Sequence, residues 1–163
     1  MAGDKLPCPV AADGAPADLV QDYPPARLPA ALRARVAEYI RVRPNWDGVV
    51  ILGDARVHHW VHVSAGEAIS MMGFLTPALL ADLGGSATPD MAALSDTLSR
   101  PERMAAGLRA AQVAGDAAVL SGHLIGAELA AAKMYWLGQE VVALDPGPYA
   151  NALRAQGVSV VEA

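Results

Sequence analysis

Apolar positions along this chain fall into two rhythms, and the longest regular run is residues 116–137, DAAVLSGHLIGAELAAAKMYWL. Leu120, Leu124, Ala127, Ala131 and Met134 recur at three- and four-residue steps, the spacing of one helix face. Asp116 stands where a side-chain oxygen can cap free backbone N–H groups and where negative charge suits the helix dipole. Gly138 follows as a left-handed stop. Ser121, Gly122, Gly126 and Ala127 are all small, so another backbone can approach this helix closely. Two interior glycines cost about 1 kcal/mol each against alanine, and close packing or a ligand should offset that. The pattern therefore predicts a buried helix in tight contact with other elements. A ligand resting against the Gly122–Gly126 face is compatible with it.

The other segments are shorter. Leu32, Val36 and Ile40 mark one face of a helix over residues 30–42, begun by Pro29 and stopped by Pro44. Residues 49–52 form a continuous apolar run between Gly48 and Gly53, as in a buried strand. Residues 60–64 (WVHVS) alternate, Ala65–Gly66 turns, and residues 68–72 (AISMM) complete a hairpin. Helices are expected from Thr76, Thr88 and Pro101, then strand 140–144, helix 148–156 and strand 158–161. Three strands, a helical stretch and strand–helix–strand predict an α/β fold with a mixed sheet flanked by helices. Residues 1–29 carry Pro7, Pro9, Pro16, Pro24, Pro25 and Pro29, which predicts an extended, loosely packed arm without regular structure. The expected division is thus an arm over 1–29 and a lobe over 30–163.

Composition narrows the function classes. The 163 residues suffice for one domain with a core, and 53% are hydrophobic, many of them alanine. A net charge of −5 and no Lys/Arg cluster argue against nucleic-acid binding. The one cysteine, Cys8, forms no internal disulfide, which points to a cytoplasmic protein. The N-terminus shows no signal-peptide pattern, and Asp116, His123, Glu128 and Lys133 argue against a membrane span over 116–137. His58 and His62 fall on one strand face with Trp60 between them, and His59 points the other way. Two histidines without a nearby cysteine make a poor metal site, so no metal is assigned. Glu128 reads as a solvated or capping charge.

Two blocks of the chain resemble one family. LSGHLIGAELAAA followed by VVALDPGPYANALRAQGVSV, and DGVVILGDARVHHWVHVSAGEAISMMGFLTPALL, resemble the C-terminal half of the 2-dehydro-3-deoxygalactonokinases. LPCPV near the start resembles a Val-Pro-Cys-Pro segment of the same family. These are sugar-acid kinases of the sugar kinase/Hsp70/actin superfamily. The resemblance implies one lobe of an actin-like (ribonuclease H-like) kinase fold. It also implies ATP with Mg²⁺ and a sugar-acid substrate. A glycine turn between strands can offer backbone N–H groups to a phosphate, which Gly53 could do, with Asp54 near a metal. By resemblance, Gly122, Gly126 and the Gly147–Pro148 turn would lie near the adenine, and Thr76 would touch substrate. Asp145 sits at a strand end, where α/β ligands usually bind.

The departures are as informative. No Asp-Trp-Gly-Thr-Thr phosphate loop occurs in the 163 residues. The family's Gly-Thr-His-Ser-Lys-Trp loop reads GDARVHHW here, and its Thr-Gly-Glu segment reads TPA at Thr76–Pro77–Ala78. No catalytic base survives the comparison. The expectation is a shortened, kinase-derived chain that is inactive or weak alone. The alternatives are a noncatalytic nucleotide- or sugar-acid-binding module, or a subunit completed by a partner lobe. A lobe without its counterpart would expose an apolar face, which predicts a homodimer or heteromer.

Overall fold

The computed structural model describes residues 2–11, 13–14, 16–145 and 147–163. In chain order the elements are strands β1 (Asp4–Lys5), β2 (Cys8–Pro9), β3 (Leu19–Gln21) and β4 (Ala26–Leu28), helix α1 (Ala30–Ile40), and strands β5 (Asp47–Gly53), β6 (His58–Ser64) and β7 (Glu67–Phe74). Helices α2 (Thr76–Leu83), α3 (Met91–Ser99), α4 (Met104–Ala114), α5 (Ala117–Ala131) and α6 (Lys133–Trp136) follow. Strand β8 (Val141–Ala143), helix α7 (Pro148–Ala155) and strand β9 (Val160–Glu162) close the sequence.

The main sheet has six strands in the order β2-β7-β6-β5-β8-β9. Strands β2, β7, β6 and β5 pair antiparallel, while β5, β8 and β9 pair parallel. Residues 49–52 of β5 are a continuous apolar run because both faces of the sheet are covered. Val49 and Ile51 join Trp60, Leu94, Ile125, Leu129, Val141 and Leu153 in the core against α3, α5 and α7. Val50 and Leu52 point the other way, into a core with Leu28, Leu32, Val36, Val61, Val63 and Met71 against α1.

The proline-rich segment is not a loose arm. Strands β1, β3 and β4 form a small three-stranded sheet, and β2 adds to the edge of β7. Val10, Leu19, Val20 and Leu28 are buried. Prolines rule out long strands in a sheet interior, but Pro9 sits on an edge strand, where its missing N–H leaves the ladder intact. Arg33 of α1 locks this segment down. Its guanidinium donates to the carbonyls of Pro9, Val10 and Ala17 at 2.8 Å each and to Asp4 Oδ2 at 2.6 Å.

The long apolar run is two elements, not one. Helix α5 ends at Ala131, and α6 starts at Lys133. Trp136 turns back and donates its indole N–H to the Leu129 carbonyl at 2.8 Å, satisfying an oxygen the helix end would leave free. Met134, placed by periodicity on the buried face, is exposed. The start of α5 matches expectation, with Asp116 accepting from the N–H groups of Ala118 and Val119.

Candidate functional site

Strands β5 and β8 run parallel, and their carboxyl ends bring Gly53 and Asp145 together. Strand β6 begins and β7 ends at the same edge, which places His58 beside Phe74 and close to Thr76 at the start of α2. Helix α7 begins there too, with Tyr149 in its first turn. In α/β sheets the carboxyl ends of parallel strands are where ligands usually enter. The chain's candidate chemistry gathers at this end.

At its centre is Glu128, on α5 and only 2% exposed. Its Oε1 takes a hydrogen bond from Trp60 Nε1 at 2.8 Å and lies 2.5 Å from His58 Nδ1. A carboxylate is an acceptor only, so the His58 proton sits on Nδ1. Tyr149 donates its hydroxyl to Oε2 at 2.7 Å. The His58 and Tyr149 rings stack at 3.9 Å between centroids, and Trp60 meets His58 edge-on. Burial pushes the Glu128 carboxyl up. Hydrogen bonds from His58, Thr76 and Trp60, with the His58 charge, outweigh it and hold the group below its ordinary value. Burial and the Glu128 charge push the Tyr149 hydroxyl well above its ordinary value. Glu128 is therefore a fixed anion with its lone pairs engaged, not a base free to take a substrate proton. It is also not the solvated charge that the sequence suggested. Its partners come from β6, α2 and α7, far away along the chain.

The residues assigned from sequence take definite places. The Gly53 N–H donates to Asp145 Oδ2 at 2.9 Å, and Arg35 of α1 grips both Asp145 oxygens. Burial raises the Asp145 carboxyl, but Arg35 and the Gly53 N–H bring it below its ordinary value. Asp54 accepts from the N–H groups of Arg56 and Val57 at 2.7 and 2.8 Å, so its carboxylate holds the β5–β6 turn. Gly122 and Gly126 face α3: a Cβ on either would overlap the Asp90 or Leu94 carbonyl oxygen. The face offered to a ligand is thus filled by another backbone. Gly147 precedes α7 with extended backbone and open space around it. Thr76 is buried beside Glu128. Among the described residues, no group of three or more His, Cys, Asp or Glu is placed to hold a metal. No helix among them is long and apolar enough to cross a membrane.

No family model and no curated protein matches the chain. Among solved structures it is similar to the crystal structure of a "putative 2-dehydro-3-deoxygalactonokinase protein from Sinorhizobium meliloti". The two share a TM-score of 0.79 at 20% sequence identity, over 99% of this chain and 68% of that one. The fold is the same. The mixed sheet with helices on both faces is shared with that neighbour. The likeness takes in the N-terminal segment, and it spans more of the neighbour than the half that the motif-bearing blocks suggested. The Glu128 cluster carried no short-range signal. The one hint was a glutamate inside a mostly apolar helix, two residues past Gly126 and six past Gly122.

Proposed function

We propose that this chain is a kinase-like lobe of the sugar-acid kinase type, related to the enzymes that phosphorylate 2-dehydro-3-deoxygalactonate with ATP in galactonate breakdown. On this reading it does not transfer phosphate by itself. The observation that carries it is the engagement of the residues the resemblance puts near nucleotide. The Gly53 N–H is spent on Asp145, the Asp54 carboxylate on its own turn, and the Gly122–Gly126 face on α3. As arranged here, these residues do not fit ATP with Mg²⁺, so no catalytic step is routed through them. A noncatalytic, cytoplasmic module that binds a sugar acid is the function this supports, and retained nucleotide binding would favour the nucleotide-binding alternative instead. Two measurements test it. Calorimetry with ATP, with and without Mg²⁺, reads binding, and a coupled assay on 2-dehydro-3-deoxygalactonate reads transfer. No turnover is expected. Turnover at the usual kinase rates of about 1–100 per second would overturn the reading.

A second reading is a subunit completed by a partner lobe or by a copy of itself, and α2 favours it. Leu75, Leu79 and Leu83 stand four residues apart and are exposed on one face. Apolar surface of this kind is commonly covered by association. Sedimentation at micromolar concentration should show a dimer, and a monomer that stays soluble at that concentration removes this reading.

A further inference from the structure

A second gathering of polar side chains lies toward the amino end of β5, away from the Glu128 cluster. Val49, His62 and Ser70 form one row across β5, β6 and β7, each paired with the next in register. Four residues of β5 separate this row from Gly53, about 13 Å at the usual rise per residue. The row, with Met134 and Tyr135 of α6 and with Gln139, lines a cavity of about 150 Å³. Tyr135 is buried and shares a hydrogen bond with Ser70. Both walls have irregular backbone. The β6–β7 register slips between His62 and Val63, and such a bulge re-aims the side chains beside it. Met134 continues the periodicity of α5, yet after the break that starts α6 it is 79% exposed. An apolar side chain on the cavity wall thus stays in solvent until something fills the cavity.

We infer that this cavity is a binding site for a compact, uncharged, flat ring with an amide edge, the size of a pyrimidine base. The lining sets each part of that class. No Lys, Arg, Asp or Glu borders the cavity, so an ion taken out of water there meets no counter-charge from those groups. His62, Ser70, Tyr135 and Gln139 all give and accept hydrogen bonds without a charge, and the Gln139 carboxamide matches the N–H and C=O of a ring amide. Val49 on the sheet and Met134 on α6 supply apolar surface, and a thioether packs well against an aromatic ring. A cavity of about 150 Å³ is enough for one six-membered ring. The site uses neither phosphate nor sugar acid and shares no residue with the Glu128 cluster, so failure of the kinase-derived reading leaves it standing.

The test uses the full chain and follows the Met134 methyl and His62 ring resonances while uracil is titrated in. Glycerol, a neutral polyol, and benzoate, a charged flat ring, are the comparison probes. Uracil should shift both resonances saturably, and neither comparison probe should do so at equal concentration. Gln139 is exposed, so Gln139→Ala keeps the fold, and it should weaken uracil binding about three- to tenfold, the loss expected for one hydrogen bond. Ser70→Leu fills the cavity and should abolish binding. If that variant does not fold, Met134→Ala at its exposed position should weaken binding about twofold or more through the lost thioether–ring contact. No shift at about 10 mM uracil, ten times a millimolar Kd, overturns the inference. So does an equal response to glycerol or benzoate, or an unchanged uracil affinity in Gln139→Ala.

Discussion

The two faces of strand β6 treat their buried histidines in opposite ways. On the α5 and α7 side, Glu128 is surrounded by His58, Trp60 and Tyr149, each within hydrogen-bond distance. On the α1 side, His59 is 3% exposed, and its Nε2 has no partner among the described residues. The two histidines are neighbours on one strand, and strand alternation alone sends them into different environments. A buried charge is tolerated when several elements converge to satisfy it, and the cost of losing one partner then rises. A buried neutral imidazole is tolerated with one nitrogen unpaired, at a smaller standing cost. The first arrangement ties β6, α2, α5 and α7 together at the candidate site, while the second ties nothing.

The largest expected effect breaks the satisfied side. Glu128→Ala leaves the His58, Trp60 and Tyr149 donors buried without their acceptor, and losing one side of such a network typically costs about 3–5 kcal/mol. Urea unfolding at neutral pH measures it. A loss under about 1 kcal/mol would mean that water or a rearranged side chain replaces the carboxylate, and the contrast between the faces would disappear.

Next comes the crossing that positions Glu128. Gly126 packs on the backbone of α3, where an added Cβ would meet the Leu94 carbonyl oxygen and carbons of the same residue at 3.2 Å. Backbone yields less readily than a side-chain tip. Gly126→Ala should therefore cost about 1–3 kcal/mol by overpacking, despite alanine's better helix propensity. An unchanged or raised melting temperature would show that α3 and α5 separate freely.

What could be read from the chain depended on range. Asp116 as a cap, Gly122 and Gly126 as small contact positions, and the strand at 49–52 with the hairpin at 60–72 are local signals, and the structure places them inside β5, β6 and β7 and on α5. The environment of Glu128 was not legible, because its partner His58 lies 70 residues away in sequence and no periodicity encodes a cross-element hydrogen bond. The break at Ala132 was missed because it is accompanied by a side-chain-to-backbone hydrogen bond, from Trp136 back to Leu129, that propensity does not register. The proline-rich segment misled because prolines exclude long strands, and the strands there are two or three residues long. Asp145 at a strand end was legible as a position of interest. Its partner Arg35, 110 residues earlier, was not.

The smallest effect comes from the unsatisfied side, and its sign can be worked out. Burial lowers the His59 pKa below 6.5 and the neighbouring His58 lowers it further, while Asp54 and Glu128 oppose them. The folded state therefore binds a proton at His59 less readily than the unfolded state does. Stability must fall as pH drops below 6.5 toward the folded value, because the unfolded chain takes up the proton first. Above that window His59 is neutral in both states and contributes no slope. His59→Leu removes the titrating group and also the buried nitrogen without a partner. At pH 8 the variant should equal wild type or exceed it by about 1 kcal/mol, since an unpaired buried polar atom has been replaced by an apolar group. Below pH 6.5 the advantage should grow, with a slope difference of at most about 1.4 kcal/mol per pH unit for one proton. Denaturant midpoints at pH 8, 6.5 and 5.5 read this directly. Parallel curves for the two proteins would mean that His59 protonates as easily in the fold as in water, and that its nitrogen has found a partner after all.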